Sequence, residues 1–201
     1  NRVVLFGGVG SSELGDTWTW DGQTWSEASP PLSPPARIGH SMGVEPVTGR
    51  VLLLGGRHAE GDTHLHDMWA WDGQVWKELP QPNLSDDPSA EYALLCNPQS
   101  CYAVVRGSGS AFQWDGQGFQ PMGAADGFVF GESPRAGWLP SEGRFLVASD
   151  QGTFSWVPGQ KAVALASPVT GGGMAVLGNT VYRYSPNGSD GTLYRYLAGQ
   201  W

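Results

Sequence analysis

The sequence predicts an all-β protein in which about five small, similar units follow one another along 201 residues. A repeated phrase carries this prediction: two aromatic residues flanking a third residue, then a tight glycine turn and a glutamine. The second aromatic recurs after 51, 43, 42 and 40 residues, at Trp20, Trp71, Trp114, Trp156 and Tyr196. Such spacing is typical of stacked repeat modules. No segment carries the 3.6-residue apolar period of an amphipathic helix, so we expect essentially no helix.

Each unit contains about four short strands. A second apolar run precedes each phrase, at residues 3–6, 51–54, 102–105, 145–148 and 181–184. Proline-rich joints and strand-like stretches such as 38–44 separate the units. The 30 glycines and 15 prolines suit many short strands joined by turns.

The packing of these units is constrained by their surfaces. An isolated four-stranded sheet leaves two faces and two edges unprotected, so neighbouring sheets must pack face to face. Radial packing gives a β-propeller, with aromatic side chains wedged between adjacent blades. We therefore predict a single propeller domain over residues 1–201. Its approximate blades are 1–29, 30–79, 80–121, 122–165 and 166–201.

Several motifs within residues 1–79 match a known family. They are a diglycine after an apolar strand (7–8 and 55–56), the phrase Asp-x-Trp-x-Trp-Asp-Gly (16–22 and 67–73), a fourth-strand tryptophan (Trp25 and Trp76) and a first strand at 35–40. In these motifs the chain resembles bacterial kelch-repeat propellers, an architecture also found in the central domain of galactose oxidase. The resemblance fades after residue 79, because the later repeats lose the diglycine.

The first blade departs from the family pattern. The chain opens on what resembles a second strand and ends at residues 200–201, where a fourth strand would start. Two interpretations stay open: a five-bladed ring that closes unusually, or part of a six- or seven-bladed propeller completed by another chain. Because the sequence starts at Asn1 without a Met or a signal peptide, we expect a processed or excised piece.

Charge and hydropathy exclude several classes of partner. The formal net charge is −8, and no basic stripe is present to neutralise phosphates, so we expect no nucleic-acid partner. The same charge disfavours an anionic membrane surface. No run of about 18 apolar residues occurs, so we expect no membrane insertion.

The two cysteines, Cys96 and Cys101, flank the turn-forming residues Asn-Pro-Gln-Ser. We predict a disulfide across a hairpin, which favours an oxidising compartment and a secreted, periplasmic or cell-surface protein. Two reduced thiols at strand ends are the alternative. A zinc site would need two further ligands, and the spacing supplies none.

Strand alternation divides the connections between two faces of the propeller. Short turns belong to one face, and long irregular loops belong to the other, at 9–15, 57–66, 80–88, 121–134 and 185–191. Because function tends to lie on variable loops of a rigid scaffold, we expect recognition on the long-loop face and at the channel mouth. The candidate ligand-binding residues are Arg37, Arg135, Phe128, Phe130 and Trp138.

Each of these candidates also has a structural interpretation. Arg37 and Arg135 can hold a carboxylate or phosphate, or can pair with carbonyl and carboxylate groups between blades. Phe128 and Phe130 form either a buried staple or an exposed binding ridge. The regular Trp phrases indicate core packing rather than a row of sugar-stacking rings.

Two loops suggest metal ligands. His58, His64 and His66, completed by Asp62 or Asp67, are a candidate zinc site, with a solvated polar loop as the alternative. Residues 187–191 carry Asn and Asp oxygens that suggest calcium, although this composition is also ordinary turn chemistry. We expect no cofactor, with zinc or calcium as the alternatives.

The leading functional hypothesis is a non-catalytic protein- or glycan-binding or scaffold propeller, because the sequence shows no catalytic motif. One alternative is a structural segment of a larger propeller. The other is a metal-dependent oxidase like galactose oxidase. That resemblance implies copper held by two Tyr and two His, with a Cys bonded to one Tyr. The candidate residues for such a site are Cys101, Tyr102 and the histidines of the loop 57–66. Their spacing does not match the galactose oxidase pattern.

Overall fold

The computed structural model describes residues 2–124, 130, 134–149, 151–166, 173–177, 179–187 and 190–196. Within these ranges the chain forms eighteen β-strands and no helix. The strands build five small antiparallel sheets, each from consecutive strands.

The first sheet contains β1 (Val3–Val9), β2 (Glu13–Trp20) and β3 (Trp25–Ala28). The second contains β4 (Ser41–Val44), β5 (Val51–Leu54), β6 (Met68–Trp71) and β7 (Trp76–Leu79). The third contains β8 (Tyr92–Cys96), β9 (Cys101–Val105), β10 (Ser110–Trp114) and β11 (Phe119–Ala124). The fourth contains β12 (Arg135–Leu139), β13 (Arg144–Ser149), β14 (Gly152–Trp156) and β15 (Val163–Leu165). The fifth contains β16 (Gly173–Leu177), β17 (Thr180–Asn187) and β18 (Asp190–Tyr196).

The predicted fold class is confirmed: the protein is an all-β, five-bladed β-propeller. The first blade has three strands, as the departure from the family pattern predicts. The second, third and fourth blades have four strands each. The fifth has three strands among the described residues, and the start of its predicted fourth strand, 200–201, lies outside them.

The chain divides into two compact units. The first comprises residues 1–103 with 113–120, and the second comprises 104–112 with 121–201. A buried cluster of Phe6, Leu53, Trp69, Trp71 and Trp76 forms a core of the first unit. Leu139, Leu146, Val181 and Tyr196 form a buried cluster in the second.

The repeated phrase corresponds to one local structure in the first three blades. Its aspartate accepts hydrogen bonds of 2.7–2.9 Å from the backbone N–H groups two and three residues later, at Asp21, Asp72 and Asp115. Two aromatic rings pair across the hairpin with centroids 5.3–5.6 Å apart, in Trp20–Trp25, Trp71–Trp76 and Trp114–Phe119. The phrase is therefore a turn signal followed by a cross-strand aromatic pair.

A buried ion pair joins the first two blades within the first unit. Arg37 is 0% exposed and donates to both oxygens of Asp67, at 2.5 and 2.7 Å. It also donates to the carbonyls of Gly55 and Pro35, both at 3.0 Å. Its own backbone accepts a hydrogen bond from Gly8 at 3.0 Å. This arrangement corresponds to the structural interpretation of Arg37.

The electrostatics of Asp67 follow from this pairing. Burial acts to raise the pKa of its carboxyl, but hydrogen bonds from Arg37 and from the Trp69 indole outweigh burial and lower the pKa. The carboxylate is therefore ionised at neutral pH. The paired and hydrogen-bonded geometry offsets the cost of burying two charges.

The glycines of the diglycine motif lie directly against the backbone of Arg37 and Ile38. Gly7 has φ +60°, and a Cβ there would lie 2.9 Å from the Arg37 carbonyl oxygen. Gly56 has φ +99°, and a Cβ there would lie 2.8 Å from the Ile38 carbonyl oxygen. Both positions combine left-handed backbone with no room for a side chain, so they require glycine.

Cys96 and Cys101 are joined by a disulfide that spans the β8–β9 turn. Asn97 Oδ1 accepts hydrogen bonds from the backbone N–H groups of Gln99 and Ser100, at 2.9 and 2.8 Å. The disulfide packs closely on β4, because a Cβ on Gly43 would lie 2.5 Å from Cys96 Sγ.

The substitution Asp67→Asn tests the ion pair. It leaves the Arg37 charge buried without its counter-charge, so we expect the free energy of unfolding to fall by about 3 kcal/mol in urea titrations. Asp16→Asn is the matched control, because Asp16 accepts the Trp18 indole N–H at 2.6 Å as Asp67 accepts that of Trp69. Among the described residues Asp16 has no arginine partner, so its variant should lose about 1 kcal/mol or less. Equal losses would contradict the assignment.

The substitution Gly43→Ala tests the contact between β4 and the disulfide. The added methyl group overpacks this contact, so we expect a loss of about 1–3 kcal/mol in the free energy of unfolding. Gly118→Ala is the control, since a Cβ there meets open space and the backbone is not left-handed. Reduction with dithiothreitol should narrow the difference between the two variants, because a free Cys96 thiol can rotate away. An unchanged difference would show that another neighbour, such as the Leu94 side chain at 3.5 Å, and not the disulfide, resists the methyl group.

Candidate functional site

A polar cleft lies at the long-loop end of the second blade, within the first unit. The connections β5–β6 and β7–β8 emerge there, because strand direction alternates along the sheet. The cleft has a volume of 380 Å³ and is lined by His66, Gln81, Pro82, Asn83, Ser85, Asp86, Asp87 and Pro88. Most of these residues belong to the loop 80–88 that sequence analysis singled out.

One wall of the cleft is fixed by His66. Its Nε2 lies 3.0 Å from the Pro88 carbonyl oxygen, which can only accept, so Nε2 carries the proton and donates. Its Nδ1 lies 2.6 Å from the Tyr92 hydroxyl, which donates to it when the imidazole is neutral. The two rings meet edge to face, with centroids 5.6 Å apart. Burial, aided by the charge of Asp87, raises the pKa of Tyr92 to about 12, so its hydroxyl keeps its proton.

The rest of the cleft is rich in hydrogen-bond acceptors. Asp87 Oδ1 accepts hydrogen bonds from the Ser89 hydroxyl at 2.7 Å and the Ser89 backbone N–H at 2.8 Å. These two bonds lower the pKa of Asp87, which is therefore ionised at neutral pH. Asp86 is exposed beside it, and the Gln81 and Asn83 side chains add neutral amide groups.

The neighbouring loop 57–66 is held by the first blade. Glu13 accepts a hydrogen bond from the Ala59 backbone N–H at 2.7 Å and contacts His58 Nδ1 at 3.1 Å. The hydrogen bond to the Ala59 backbone is the main cause of a lowered pKa at Glu13. Arg57 pairs with Asp62 at 2.8 Å within the loop. The loop 57–66 is therefore held in place by contacts with Glu13 of the first blade and by the ion pair within the loop.

The structure does not bring the proposed zinc ligands together. His58 contacts Glu13, His66 contacts Tyr92 and Pro88, and Asp62 pairs with Arg57. His64 Nδ1 is buried and has no hydrogen-bond partner among the described residues. Across the described ranges, no group of three or more His, Cys, Asp or Glu residues has metal-binding geometry. The suggested calcium loop, 187–191, includes residues 188 and 189, which lie outside the described part of the chain.

The other candidate residues have separate positions. Arg37 is buried in its ion pair and offers no group to an outside ligand. Phe130 is 2% exposed, which corresponds to the interpretation as a buried staple. Trp138 is half-buried, and its ring centroid lies 4.8 Å from that of Phe145. Arg135 is exposed at the start of β12, and Phe128 lies outside the described residues.

The disulfide also bears on the oxidase hypothesis. A sulfur bonded to a tyrosine ring is part of the site that the resemblance to galactose oxidase implies. Cys101 is bonded to Cys96, so its sulfur is not free to form that link. The oxidase hypothesis therefore loses the cysteine that it needs beside Tyr102, because the sulfur of Cys101 is already in the disulfide.

Comparison with known proteins identifies no family. The chain matches no model of a protein family, and no curated protein is similar to it. In the described part of the chain, no helix is long and apolar enough to cross a bilayer.

A half-buried histidine, His40, lies close to the Arg37 ion pair. Burial, reinforced by the Arg37 charge and opposed by a hydrogen bond to the Phe6 backbone, lowers the pKa of His40 from 6.5 to about 4. Its ring packs edge to face on Phe6, with centroids 5.7 Å apart. The imidazole is therefore neutral in the folded protein at neutral pH.

His40 should make the protein acid-sensitive. In the unfolded state the His40 imidazole binds a proton below about pH 6.5, whereas in the folded state it does so only below about pH 4. The free energy of unfolding therefore falls as the pH is lowered through this interval. Between pH 7.5 and 4.5 we expect His40 to remove about 2–3 kcal/mol from the free energy of unfolding. Urea titrations of the wild type and of His40→Gln measure this difference. Parallel losses in the two proteins would assign the acid sensitivity to other groups.

Proposed function

We propose that this protein is a non-catalytic binding module that recognises a protein partner through the cleft at the long-loop end of its second blade. The observation that carries this proposal is the chemistry of the cleft: an acceptor-rich lining that includes Asp86 and the ionised Asp87. Such a site suits an arginine or lysine side chain, whose donors match carboxylate and amide oxygens.

The rigidity of the walls supports recognition rather than chemistry. Both ring nitrogens of His66 are engaged, by Tyr92 and by Pro88, so the imidazole is not free to act as a general base on a ligand. Walls fixed by the protein's own hydrogen bonds reduce the ordering cost that binding would otherwise incur.

The setting of this function is part of the proposal. The Cys96–Cys101 disulfide supports a secreted, periplasmic or cell-surface protein, because disulfides persist in oxidising compartments. The kelch-like motifs of residues 1–79 support a bacterial kelch-repeat scaffold. The role of a segment in a larger propeller stays a prediction, favoured by the exposed apolar residues Val3, Leu5 and Trp25 on the first blade.

The test uses two capped tripeptides, acetyl-Gly-Arg-Gly-amide and its glutamine counterpart, added to ¹⁵N-labelled protein. We expect the arginine peptide to shift the backbone amide resonances of the non-proline residues within 81–88 and the glutamine peptide to leave them unchanged. Asp86→Asn should weaken binding about threefold, as expected for one exposed charge pair, and added salt should weaken it further.

Glu27→Gln is the matched control, since it removes an exposed carboxylate on β3 that does not line the cleft. It should bind the arginine peptide like the wild type. Equal effects of the two variants, or equal shifts from the two peptides, would contradict recognition by the cleft.

A further inference from the structure

A second cavity lies at the opposite end of the sheets, where only short turns emerge. It is formed by three turns of the first unit, at residues 45–50, 97–100 and 115–118. The cavity has a volume of 280 Å³ and is lined by Glu45, Pro46, Val47, Thr48, Arg50, Gln99, Ser100, Gln113, Trp114, Asp115 and Gly116. It shares no lining residue with the long-loop cleft.

Glu45 is the centre of this cavity's wall. The residue is 2% exposed, and its Oε1 accepts the Trp114 indole N–H at 2.7 Å. Its Oε2 accepts hydrogen bonds from the Thr48 hydroxyl and from Arg50 Nε and Nη2, the last two at 3.0 and 2.9 Å. Burial acts to raise the pKa of Glu45, but these bonds outweigh burial and lower the pKa. The buried carboxylate is therefore ionised and fully engaged.

The remaining walls are fixed as firmly. The Ser100 hydroxyl donates to the Trp114 carbonyl oxygen at 2.9 Å, which joins the β8–β9 turn to β10. The disulfide closes the same turn. The Trp114 ring packs edge to face on Phe119, with centroids 5.3 Å apart. The hydrogen bond, the disulfide and the aromatic contact together fix the positions of the cavity walls.

Polar groups with spare hydrogen-bonding capacity line this fixed cavity. The bonds that Arg50 makes to Glu45 and Thr48 use Nε and Nη2, and among the described residues no bond uses its Nη1. The side-chain amides of Gln99 and Gln113 are exposed, and each offers two donors and an acceptor. Pro46 and the largely exposed Val47 supply an apolar surface beside them.

The charges of the cavity select against ions. Glu45 and Arg50 neutralise each other, so neither charge is free to pair with an ionic ligand. The exposed Asp115 disfavours an anionic ligand, and both of its carboxylate oxygens already accept hydrogen bonds from donors in its own hairpin, which leaves little for a cation. A volume just below the ~300–1,000 Å³ of drug-sized sites limits the ligand to a small group. The remaining class is neutral, carries several donors and acceptors, and has one apolar face.

We propose that this cavity binds a single saccharide residue. Sugar hydroxyl groups both donate and accept, as the two glutamine amides and Arg50 Nη1 require, and the C–H face of a pyranose ring suits Pro46 and Val47. The site is independent of the long-loop cleft and of the protein partner proposed for it, so either proposal can fail alone.

The test follows the indole N–H resonance of Trp114 in ¹⁵N-labelled protein during titration with methyl glycosides of galactose, mannose and N-acetylglucosamine. We expect at least one glycoside to shift this resonance with a dissociation constant of about 1 mM, the range of weak single-site ligands. Gln113→Ala, which removes an exposed amide with no hydrogen-bond partner among the described residues, should weaken binding at least fivefold.

Gln74→Ala is the matched control, because Gln74 is exposed in the equivalent hairpin of the second blade and does not line the cavity. It should bind as the wild type does. A capped dipeptide, acetyl-Gly-Gly-methylamide, tests the competing amide chemistry. If it alone shifts Trp114, if no glycoside does, or if Gln113→Ala binds normally, the saccharide proposal is wrong.

Discussion

The buried pair between Arg37 and Asp67 is the interaction on which the first unit depends. A fully buried guanidinium is tolerated only when its donors are satisfied, and Asp67 with two backbone carbonyls satisfies them. The backbone of Arg37 simultaneously contacts Gly8 and Leu14 of the first sheet. The pair therefore fixes the start of β6 relative to the first hairpin. His66, the wall of the cleft, directly precedes Asp67 in the chain.

The fold was predictable because its signals are local. In the first three blades an aspartate, a glycine and two aromatic residues lie within a few positions of each hairpin, and they supply the hydrogen bonds of its turn and the ring contact across it. Asp72 accepts from Gln74 and Val75, and Trp71 pairs with Trp76. Local turn chemistry and cross-strand pairing repeat with the sequence, so their spacing gives the number of blades. The three-stranded first blade was predictable from the same spacing, because only one apolar run precedes the first repeated phrase.

The sites were harder to predict because their contacts are long-range. Glu45 and Trp114 are 69 positions apart, and Glu13 and His58 are 45 apart. Neither pair leaves a pattern in the sequence, since each partner alone resembles an ordinary turn or strand residue. Phe130 shows the same limit, because an irregular aromatic is indistinguishable from a binding residue until its burial is known. Sequence analysis found the loop 80–88 by its irregularity but missed the short-turn cavity, whose turns are regular.

The two ends of the second blade differ in chemistry because its interior isolates them. Between the ends lie Leu52, Leu53 and Leu54 of β5, all 0% exposed. Such a packed apolar layer carries no polar network from one end to the other. Groups without shared partners contribute nearly additively, so each end can change its residues without disturbing the other. The same layer therefore separates the negative, acceptor-rich cleft from the amide-lined cavity, which the second and third blades form together at the short-turn end.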